Sequence, residues 1–400
     1  MGIFSGKEVV LGVTGGIAAY KACEIVRELR KDSANVHVVL TRSGSQFITP
    51  LTLQTLSKNP VATDLFDLIS ESEIGHISLA QRAHLLLIAP ATANIIGKVR
   101  NGIADDMLST VVMATTAPVL FAPAMNTQMY ASAAVQDNMA VLRSRGYHFV
   151  EPDEGELACG TVGPGRLADV DKILEMARIV LSEKPLSGKK VVVSAGPTAE
   201  ALDPVRFFSN RSSGKMGYAM ARAARRMGAQ VTLVSGPGAL PAPHFLNTVR
   251  VRTADEMFSA VSRAGADADV VVMCAAVADF KAKKAAPAKI KKDAFDYRLE
   301  LSPTVDILET LGKKKGKRIL VGFAAETDDL TTNAREKMRR KNLDAIVAND
   351  VSRADIGFES DDNEVRIFFP DGEIRELPLA TKDGIAVGVW LALNGKLFRR

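Results

Sequence analysis

The sequence predicts an α/β protein with two doubly wound, mostly parallel sheets. Three observations predict it: short apolar runs of strand length, helical stretches between them, and a second series of the same kind after a break near Pro185. Strands that are buried on both faces of a parallel sheet are nearly continuous apolar runs. We therefore expect two Rossmann-like domains, over residues 1–185 and 186–400.

The first series opens with the strand KEVVLGV, which runs into the helical pattern TGGIAAYKACEIVRELRK. The strands VHVVLT, AHLLLIAP and APVLFAP follow, and a single long helix is expected over TQMYASAAVQDNMAVLRSRG. The helix ADVDKILEMARIVLSEK closes the series before the break PLSGKK.

The second series consists of the strands KKVVVSAGPT, AQVTLVSGP, ADVVVMCAAVADF, RILVGFAAET and LDAIVAND. Helices are expected over about residues 213–227 and over TTNAREKMRRK. Open α/β sheets bind their ligands beyond the carboxyl ends of the strands. Polar residues just after these strands are therefore the site candidates.

Composition narrows the function classes. Hydrophobic residues make up 47% of the 400, and neither a basic leader nor a run of 18 apolar residues is present, so we expect a cytoplasmic protein without a membrane span. The cysteines Cys23, Cys159 and Cys274 form no Cys-x-x-Cys pair, which argues against a disulfide scaffold or a structural metal. A net charge of +5 suits small anionic substrates better than nucleic acid.

The turn GVTGGIAAYK is the first candidate site. Gly15 and Gly16 either let the backbone approach a phosphate at a helix start or only make a tight turn. The pattern Gly-x-Gly-x-x-Gly is absent and no acidic residue ends the next strand, so the usual contacts to NAD are missing. FMN, with one phosphate and no adenine ribose, fits better. Hydroxyls near strand ends are candidates to bind it: Thr14, Thr41, Ser43 and Thr92.

Two more polar residues lie close to strand ends. His76 precedes a helical stretch, where it is either a surface or capping histidine or a site residue. Asn126 follows the strand APVLFAP and either caps the next helix or binds a ligand. Its amide would cost about 1–3 kcal/mol if it were buried without a partner.

Several long motifs resemble known families. GVTGGIAAYK, GHISLA, APATANIIGKVRNGIADDMLST, PAMNTQMY and LACGTVGPGRL together resemble the flavin-dependent cysteine decarboxylases. SAGPTAEALDPVRFFSNRSSGKMGYAMA, AAVADF, KIKK and GFAAET resemble phosphopantothenate-cysteine ligase. Their order on one chain resembles the bifunctional phosphopantothenoylcysteine decarboxylase/phosphopantothenate-cysteine ligases of coenzyme A biosynthesis, over nearly the whole chain.

The resemblance implies two reactions. A ligase joins cysteine to 4′-phosphopantothenate through an acyl-CMP intermediate, and an FMN-dependent decarboxylase converts the product to 4′-phosphopantetheine. It also implies CTP as co-substrate, Mg²⁺, and a homo-oligomer built from decarboxylase trimers and ligase dimers, at the largest a dodecamer.

The resemblance also assigns decarboxylase residues. His76 becomes the base or the group that orients the substrate thiol, Asn126 binds the substrate carboxylate, and Cys159 is the proton donor of the reductive step. The glycines around Cys159 suit a mobile clamp over the site. The FMN contacts are placed at Thr14, Gly15, Gly16, Ile17, Thr41, Ser43, Ala91 and Thr92.

Two segments of the second half carry the ligase candidates. RFFSNRSSGKMG is either a loop that caps a helix or a phosphate site, and FKAKKAAPAKIKK is either a solvated lysine run or a nucleotide site. The resemblance places Asn210 in catalysis, near the acyl phosphate. It places substrate contacts at Arg206, Ser212, Ser213, Gly214 and Lys215. It places nucleotide contacts at Ala275, Asp279, Lys289, Val305, Asp306, Phe323, Lys337 and Lys341, the last two sharing a helix face. No metal ligands are assigned.

Two other interpretations stay open on the residues alone. A two-domain NAD-dependent oxidoreductase fits the repeated α/β pattern but lacks the acidic ribose ligand. A nucleic-acid-binding module would use the lysine run, against a modest net charge, one Trp and five Tyr. We therefore expect small-molecule substrates and no nucleic-acid partner.

Overall fold

The strands predicted from apolar runs form the centres of two sheets in the computed structural model. The structure describes residues 2–65, 75–158, 160–291, 298–326, 330–350 and 360–398. The chain divides into two compact units, Met1–Ser182 and Glu183–Arg400. Helices alternate with mostly parallel strands in both, so the predicted α/β class is confirmed.

The described strands of the first unit are β1 (Glu8–Val13), β2 (Asn35–Leu40), β3 (Val61–Ala62), β4 (Leu85–Ala91), β5 (Val119–Pro123), β6 (His148–Phe149), β7 (Asp153–Glu156) and β8 (Val162–Arg166). Its described helices are α1 (Ala22–Lys31), α2 (Pro50–Ser57), α3 (Gly75–Arg82), α4 (Ala93–Asn101), α5 (Met107–Ala114), α6 (Thr127–Ala131), α7 (Ala133–Ser144) and α8 (Val170–Leu181). Short 3₁₀ helices cover Ile17–Lys21 and Gly44–Gln46.

The sheet of the first unit is parallel and has the strand order β3-β2-β1-β4-β5-β6. Every residue of β4 is buried, as expected for a strand covered on both faces. The strand order reverses between β1 and β4, and this switch point is where such sheets bind ligands. The strands β7 and β8 form a separate antiparallel hairpin.

The described strands of the second unit are β9 (Lys190–Ala195), β10 (Ala199–Ala201), β11 (Phe207–Ser209), β12 (Gln230–Ser235), β13 (Asn247–Arg250), β14 (Val270–Met273), β15 (Phe280–Ala282), β16 (Leu301–Pro303), β17 (Ile319–Glu326), β18 (Ala345–Asp350), β19 (Asp362–Phe368) and β20 (Ile374–Thr381). Its described helices are α9 (Lys215–Arg226), α10 (Ala254–Ala264), α11 (Ile307–Lys313), α12 (Leu330–Arg340) and α13 (Lys382–Leu397).

The main sheet of the second unit has the order β13-β12-β9-β14-β17-β18-β19-β20. Its first six strands are parallel and repeat the topology of the first unit, with the switch point between β9 and β14, whereas β19 and β20 are antiparallel. Alternate residues of the strands face two separate cores. One core contains α9 and α13, and the other contains α10, α11 and α12, so these helices cover opposite faces.

Side-chain hydroxyls join the two strand ends at each switch point. Thr14, which is buried, donates to the carbonyl oxygen of Pro90 at 2.7 Å and accepts from the Thr92 N–H at 3.1 Å. In the second unit Ser194 accepts from the N–H groups of Cys274 and Ala275, both at 3.1 Å. These bonds hold the loop after one central strand against the loop after its neighbour.

The single helix expected from residue 127 onward is wrong. The chain breaks at Ser132, which adopts an extended conformation and accepts from the Val135 N–H at 3.4 Å, so α7 begins with its own cap. The hairpins β7–β8, β10–β11 and β15–β16 were not predicted either. Among the described helices, none is both long and apolar enough to cross a membrane.

Replacing Ser194 with Ala should lower the free energy of unfolding of the second unit by about 1–3 kcal/mol, because two N–H groups lose their acceptor. Trp390 is the chain's one tryptophan and is buried in this unit, so its fluorescence during urea unfolding isolates that transition. Ser259→Ala on α10 is the control, since that exposed hydroxyl only donates to a carbonyl of its own helix. Equal midpoints for the two variants would contradict a stabilising role for Ser194.

Candidate active sites

The first candidate site is the crevice between the loops after β1 and β4. Gly15 is required by packing, because a Cβ there would lie 2.3 Å from Ser43 Cβ. At Gly16 the nearest atom to such a Cβ is Thr92 Cγ2, at 3.8 Å. The backbone of Gly16 therefore faces an uncrowded space at the switch point, where a phosphate can approach it.

The eight predicted FMN contacts come together at three neighbouring strand ends. Thr14 and Thr41 use their hydroxyls within the protein, since Thr41 donates to the Val13 carbonyl at 3.2 Å and accepts from the Gly44 N–H at 3.1 Å. Thr92 is the N-cap residue of α4, but its side chain makes no capping hydrogen bond. Ser43 is exposed. Thr14 and Thr41 thus shape the loops, whereas the hydroxyls of Ser43 and Thr92 remain the predicted ligand contacts. The remaining predicted contacts lie beside them: Gly15, Gly16, Ile17 and Ala91.

His76 lies in the first turn of α3. Its Nδ1 atom is buried and has no hydrogen-bond partner within the described part of the chain. A buried polar atom without a partner costs about 1–3 kcal/mol, so a ligand that pairs with this nitrogen recovers that cost. The geometry favours the site interpretation over a surface histidine.

The β7–β8 hairpin lies against the loop that follows β5. The Met125 N–H donates to the Gly165 carbonyl at 3.0 Å. Gly165 has φ +139° and a Cβ there would lie 2.2 Å from the Met125 carbonyl oxygen, so only glycine allows this approach. Cys159 falls between the two strands of the hairpin but lies outside the described residues. Its predicted role as a proton donor stays a prediction.

Asn126 caps α6, because its Oδ1 accepts from the Gln128 N–H at 2.8 Å. The capping interpretation is therefore confirmed. The predicted contact with a substrate carboxylate needs the N–H donors of the same amide and not this oxygen, so the two uses involve different atoms. The adjacent Thr127 Oγ1 is buried without a partner in the described structure, beside the hairpin residue Gly163.

The second candidate site is a cavity of about 460 Å³ at the carboxyl edge of the larger sheet. It is lined by the start of α9, the loop after β14, the segment between β16 and α11, and residues of β17, β18, β19, α12 and α13. Most of the predicted ligase residues line it: Ser212, Ser213, Gly214, Lys215, Ala275, Asp279, Val305, Asp306, Phe323, Lys337 and Lys341.

Lys337 and Lys341 both reach the cavity, as their helical spacing predicts. Lys341 forms a salt bridge with Asp306 at 2.7 Å, and Asp306 also caps α11 by accepting from the Glu309 N–H at 3.0 Å. Burial acts to raise the pKa of Asp306, but Lys341 and the Glu309 N–H outweigh it and hold that pKa below its ordinary value. This carboxylate is therefore ionised at neutral pH.

Three predicted residues do not line the cavity. Asn210 lies beside it and donates from Nδ2 to the Ala276 carbonyl at 3.0 Å. Arg206 is exposed and donates to the Ile290 carbonyl at 3.1 Å, which ties the lysine run to the turn before β11. Lys289 is exposed in that same run. Arg206 and Lys289 are thus brought near each other, outside the cavity.

Sequence reasoning missed five polar residues of the cavity wall: Cys274, Thr304, Asn349, Asn363 and Lys382. Cys274 directly follows β14 and Asn349 lies near the end of β18, so their positions at strand ends were a usable signal. Asn363 and Lys382 belong to the antiparallel extension and to α13, whose return to this edge the motifs did not indicate.

Comparison with known proteins decides the family. The model of a family described as Flavoprotein matches residues 4–181, and the model described as DNA/pantothenate metabolism flavoprotein C-terminal domain matches residues 186–395. A curated relative from Bacillus subtilis (strain 168) named Coenzyme A biosynthesis bifunctional protein CoaBC is 51% identical over 95% of this chain and 95% of its own. The relative of that name from Escherichia coli (strain K12) is 48% identical over 95% of this chain and 94% of its own. The chain belongs to this family.

As a family member the chain is a bifunctional enzyme of coenzyme A biosynthesis, a decarboxylase and a ligase, with a flavin cofactor. The NAD-dependent oxidoreductase alternative is not supported by these matches. The crystal structure of the C-terminal domain of a CoaBC protein is 43% identical, covers 55% of this chain and all of its own, and has a TM-score of 0.47. The crystal structure of the FMN-dependent cysteine decarboxylase SpaF is 30% identical, covers 44% of this chain and 99% of its own, and has a TM-score of 0.39.

Gly165→Ala should lower the decarboxylase rate at least tenfold and leave the ligase rate unchanged. The added Cβ and the disfavoured φ would push the hairpin away from the Met125 carbonyl and the loop that carries Asn126. Both rates are measured on the same sample, so the ligase is an internal control. Gly97→Ala in α4, whose Cβ would meet only Asn138 Nδ2 at 3.7 Å, is the matched glycine control. Wild-type decarboxylation by the Gly165 variant would show that the hairpin contact is dispensable.

Proposed function

We propose that the second unit joins cysteine to 4′-phosphopantothenate using CTP, and that the first unit decarboxylates the product to 4′-phosphopantetheine using FMN. The proposal is supported above all by the cavity at the edge of the larger sheet. Lysines, the start of α9 and backbone groups line this cavity, and the sequence contains no P-loop motif. Such a set suits activation of a carboxylate by a nucleotide.

In the ligase reaction the substrate carboxylate attacks the α-phosphate of CTP and pyrophosphate leaves. The amine of cysteine then attacks the acyl carbon of the mixed anhydride, and CMP leaves. Both steps build negative charge on phosphate oxygens, so positioned cations contribute more than a nucleophilic side chain. Lys337 and Lys341 are proposed to contact the nucleotide, and Asn210 to act beside the acyl phosphate. Arg206 and Lys289 lie outside the cavity wall, in adjacent segments joined by a hydrogen bond. Arg206 is proposed to contact the acid substrate, and Lys289 is proposed to contact the nucleotide.

The start of α9 supports a phosphate contact of the acid substrate. Gly214 has φ +77° and precedes the twelve-residue helix, and it lines the cavity together with Ser212 and Ser213. Mg²⁺ is proposed to accompany CTP, because a triphosphate supplies most of its ligands and one or two carboxylates suffice. Asp279 and Asp306 are the carboxylates of the cavity wall within the described residues.

In the decarboxylase, Gly16, Ser43 and Thr92 are proposed to hold FMN at the switch point. The bound flavin supplies the electron acceptor that an unactivated cysteine amide lacks. His76 Nδ1 is proposed to accept or orient the proton of the substrate thiol, and this buried nitrogen would then gain a partner. The amide N–H groups of Asn126 donate to the substrate carboxylate, and Cys159 supplies the proton of the reductive step that forms the product.

The proposed assembly is a homo-oligomer with decarboxylase trimers and ligase dimers. Ile17 and Tyr20, next to the predicted phosphate turn, are each 60% exposed, which supports a protein contact at that site. The cytoplasm is the proposed compartment, because CTP and cysteine are metabolites of that compartment.

One assay tests both halves. The purified protein is supplied with phosphopantothenate, cysteine and CTP, and CMP, pyrophosphate and CO₂ are measured together with the visible spectrum of the protein. We expect a flavin absorption band and one CO₂ for each CMP formed. Formation of AMP from ATP with no CMP from CTP would refute the nucleotide assignment, and a colourless protein that binds no FMN would refute the decarboxylase assignment.

Asn210→Asp should reduce CMP formation at least 100-fold and leave decarboxylation of supplied phosphopantothenoylcysteine unchanged. The new carboxylate cannot donate to the Ala276 carbonyl and repels an acyl phosphate at the cavity edge. Asn101→Asp, at the exposed end of α4, is the matched control for the charge change. Loss of both activities in the Asn210 variant would contradict a role confined to the ligase.

A further inference from the structure

Two segments that carry proposed ligase contacts lie beside each other outside the cavity wall. The first is the turn between β10 and β11, residues 202–206, which ends in Arg206, a proposed contact of the acid substrate. The second is the described part of the lysine run, residues 283–291, which contains Lys289, a proposed nucleotide contact. We name them the acid arm and the nucleotide arm. Both proposed contacts depend on where these arms are held.

The nucleotide arm has no hydrophobic anchor of its own. None of residues 283–291 is buried, and a segment without buried apolar contacts is held mainly by its polar bonds. Its backbone reaches the acid arm at two points. The Ala286 N–H donates to the Leu202 carbonyl at 2.9 Å, and the Ile290 N–H donates to Asp203 Oδ2 at 3.2 Å. The position of the nucleotide arm therefore depends on the acid arm.

Asp203 is the buried carboxylate that joins the two arms. Its Oδ1 accepts from the N–H groups of Val205 and Arg206, at 2.7 and 2.8 Å, and shapes the acid arm. The Arg206 guanidinium lies 3.5 Å from Asp203 Oδ2 and donates to the Ile290 carbonyl at 3.1 Å. Asp203 and Arg206 thus bind both backbone groups of Ile290, and neither arm can shift without the other while these bonds hold.

The negative charge of Asp203 strengthens this link. Burial acts to raise its pKa, but the three N–H donors and the Arg206 guanidinium outweigh it and hold the pKa of Asp203 below its ordinary value. The carboxylate is therefore ionised at neutral pH. Hydrogen bonds to a charged acceptor are about twice as strong as those between neutral groups. Removing the charge should weaken the link while the side chain keeps its size.

We propose that Asp203 is a positioning residue of the ligase, which couples the binding of the acid substrate to the binding of the nucleotide. The proposal rests on the proposed ligase function. Asp203 does not line the cavity, so it acts on the ligands only through the two arms. A ligand that fixes one arm also fixes the other through this carboxylate, and less conformational entropy is then lost when the second ligand binds.

The test is calorimetry on the full chain with Mg²⁺, phosphopantothenate and a CTP analogue that cannot be cleaved between its α and β phosphorus atoms. In the wild type, saturating analogue should lower the Kd of phosphopantothenate at least about fivefold, and phosphopantothenate should lower the Kd of the analogue by the same factor. In Asp203→Asn this factor should fall below about twofold, because an amide accepts through one oxygen only and leaves one arm unpaired. The Kd of each ligand alone should change by a smaller factor.

A second variant and a control accompany this measurement. Ile290→Pro removes the same bond from its donor side, at a residue that is not buried, and should abolish the coupling in the same way. Asp344→Asn is the matched control and should keep the coupling of the wild type. Asp344 also accepts from a backbone N–H, that of Leu320 at 2.8 Å, and pairs with Lys315 at 2.7 Å, but at the amino ends of β17 and β18. The fluorescence of Trp390 during urea unfolding checks that each variant is folded.

The outcomes separate the possible roles of Asp203. Direct contacts between the two ligands are the same in every variant, so a loss of coupling confined to Asp203→Asn and Ile290→Pro supports the proposal. Unchanged coupling in these folded variants would overturn it, as would a wild type that binds the two ligands independently. Equal weakening of both ligands with the coupling retained would reduce Asp203 to a structural residue. If Asp203→Asn does not fold, Ile290→Pro alone decides. A wild type that binds neither ligand would refute the proposed function, and the proposal with it.

Discussion

Both candidate sites depend on how the carboxyl ends of two adjacent parallel strands are fixed at a switch point. Parallel pairing stops there, and the two loops leave in different directions with backbone groups that still need partners. In the first unit the hydroxyl of Thr14 bridges the loops after β1 and β4, and in the second Ser194 holds the loop after β14. The isolated bridge between Pro197 and Ala276 extends this pairing. Because these bonds satisfy the loop backbone, other groups of the loops are left to meet a ligand.

The two sites are closed by different means. The first is a crevice between the loops after β1 and β4. A hairpin packs against the neighbouring loop after β5, and that approach is possible only because Gly165 has no side chain. The second is a half-open cavity whose walls come from both faces of the sheet, with charged residues contributed by α9, α12 and α13. The difference fits the chemistry of each unit. A crevice leaves space for a flat cofactor, whereas transfer at phosphorus needs cations held around a chain of phosphates.

The sequence was sufficient to predict the features that depend on apolar periodicity or on a residue's position after a strand. Apolar runs gave the central strands, and Asp279, in the segment that follows β14, does line the cavity. It was insufficient where contacts join distant segments. The turn containing Arg206 and the lysine run are held together through Asp203, a buried carboxylate that accepts from the N–H groups of Val205, Arg206 and Ile290. No local pattern marks such contacts, and none marks Lys382, which reaches the start of α9 only after the antiparallel extension of the sheet.

The cavity also contains a thiol that has to remain inactive. Cys274 lines the space where an acyl phosphate is proposed to form, and a thiolate there would compete with the amine of the substrate for the acyl carbon. Burial raises the pKa of Cys274 to about 12, with Lys382 acting in the opposite direction. At neutral pH the thiol is therefore protonated, and a protonated thiol is a poor nucleophile. The burial of Cys274 thus suppresses a competing reaction inside the proposed ligase site.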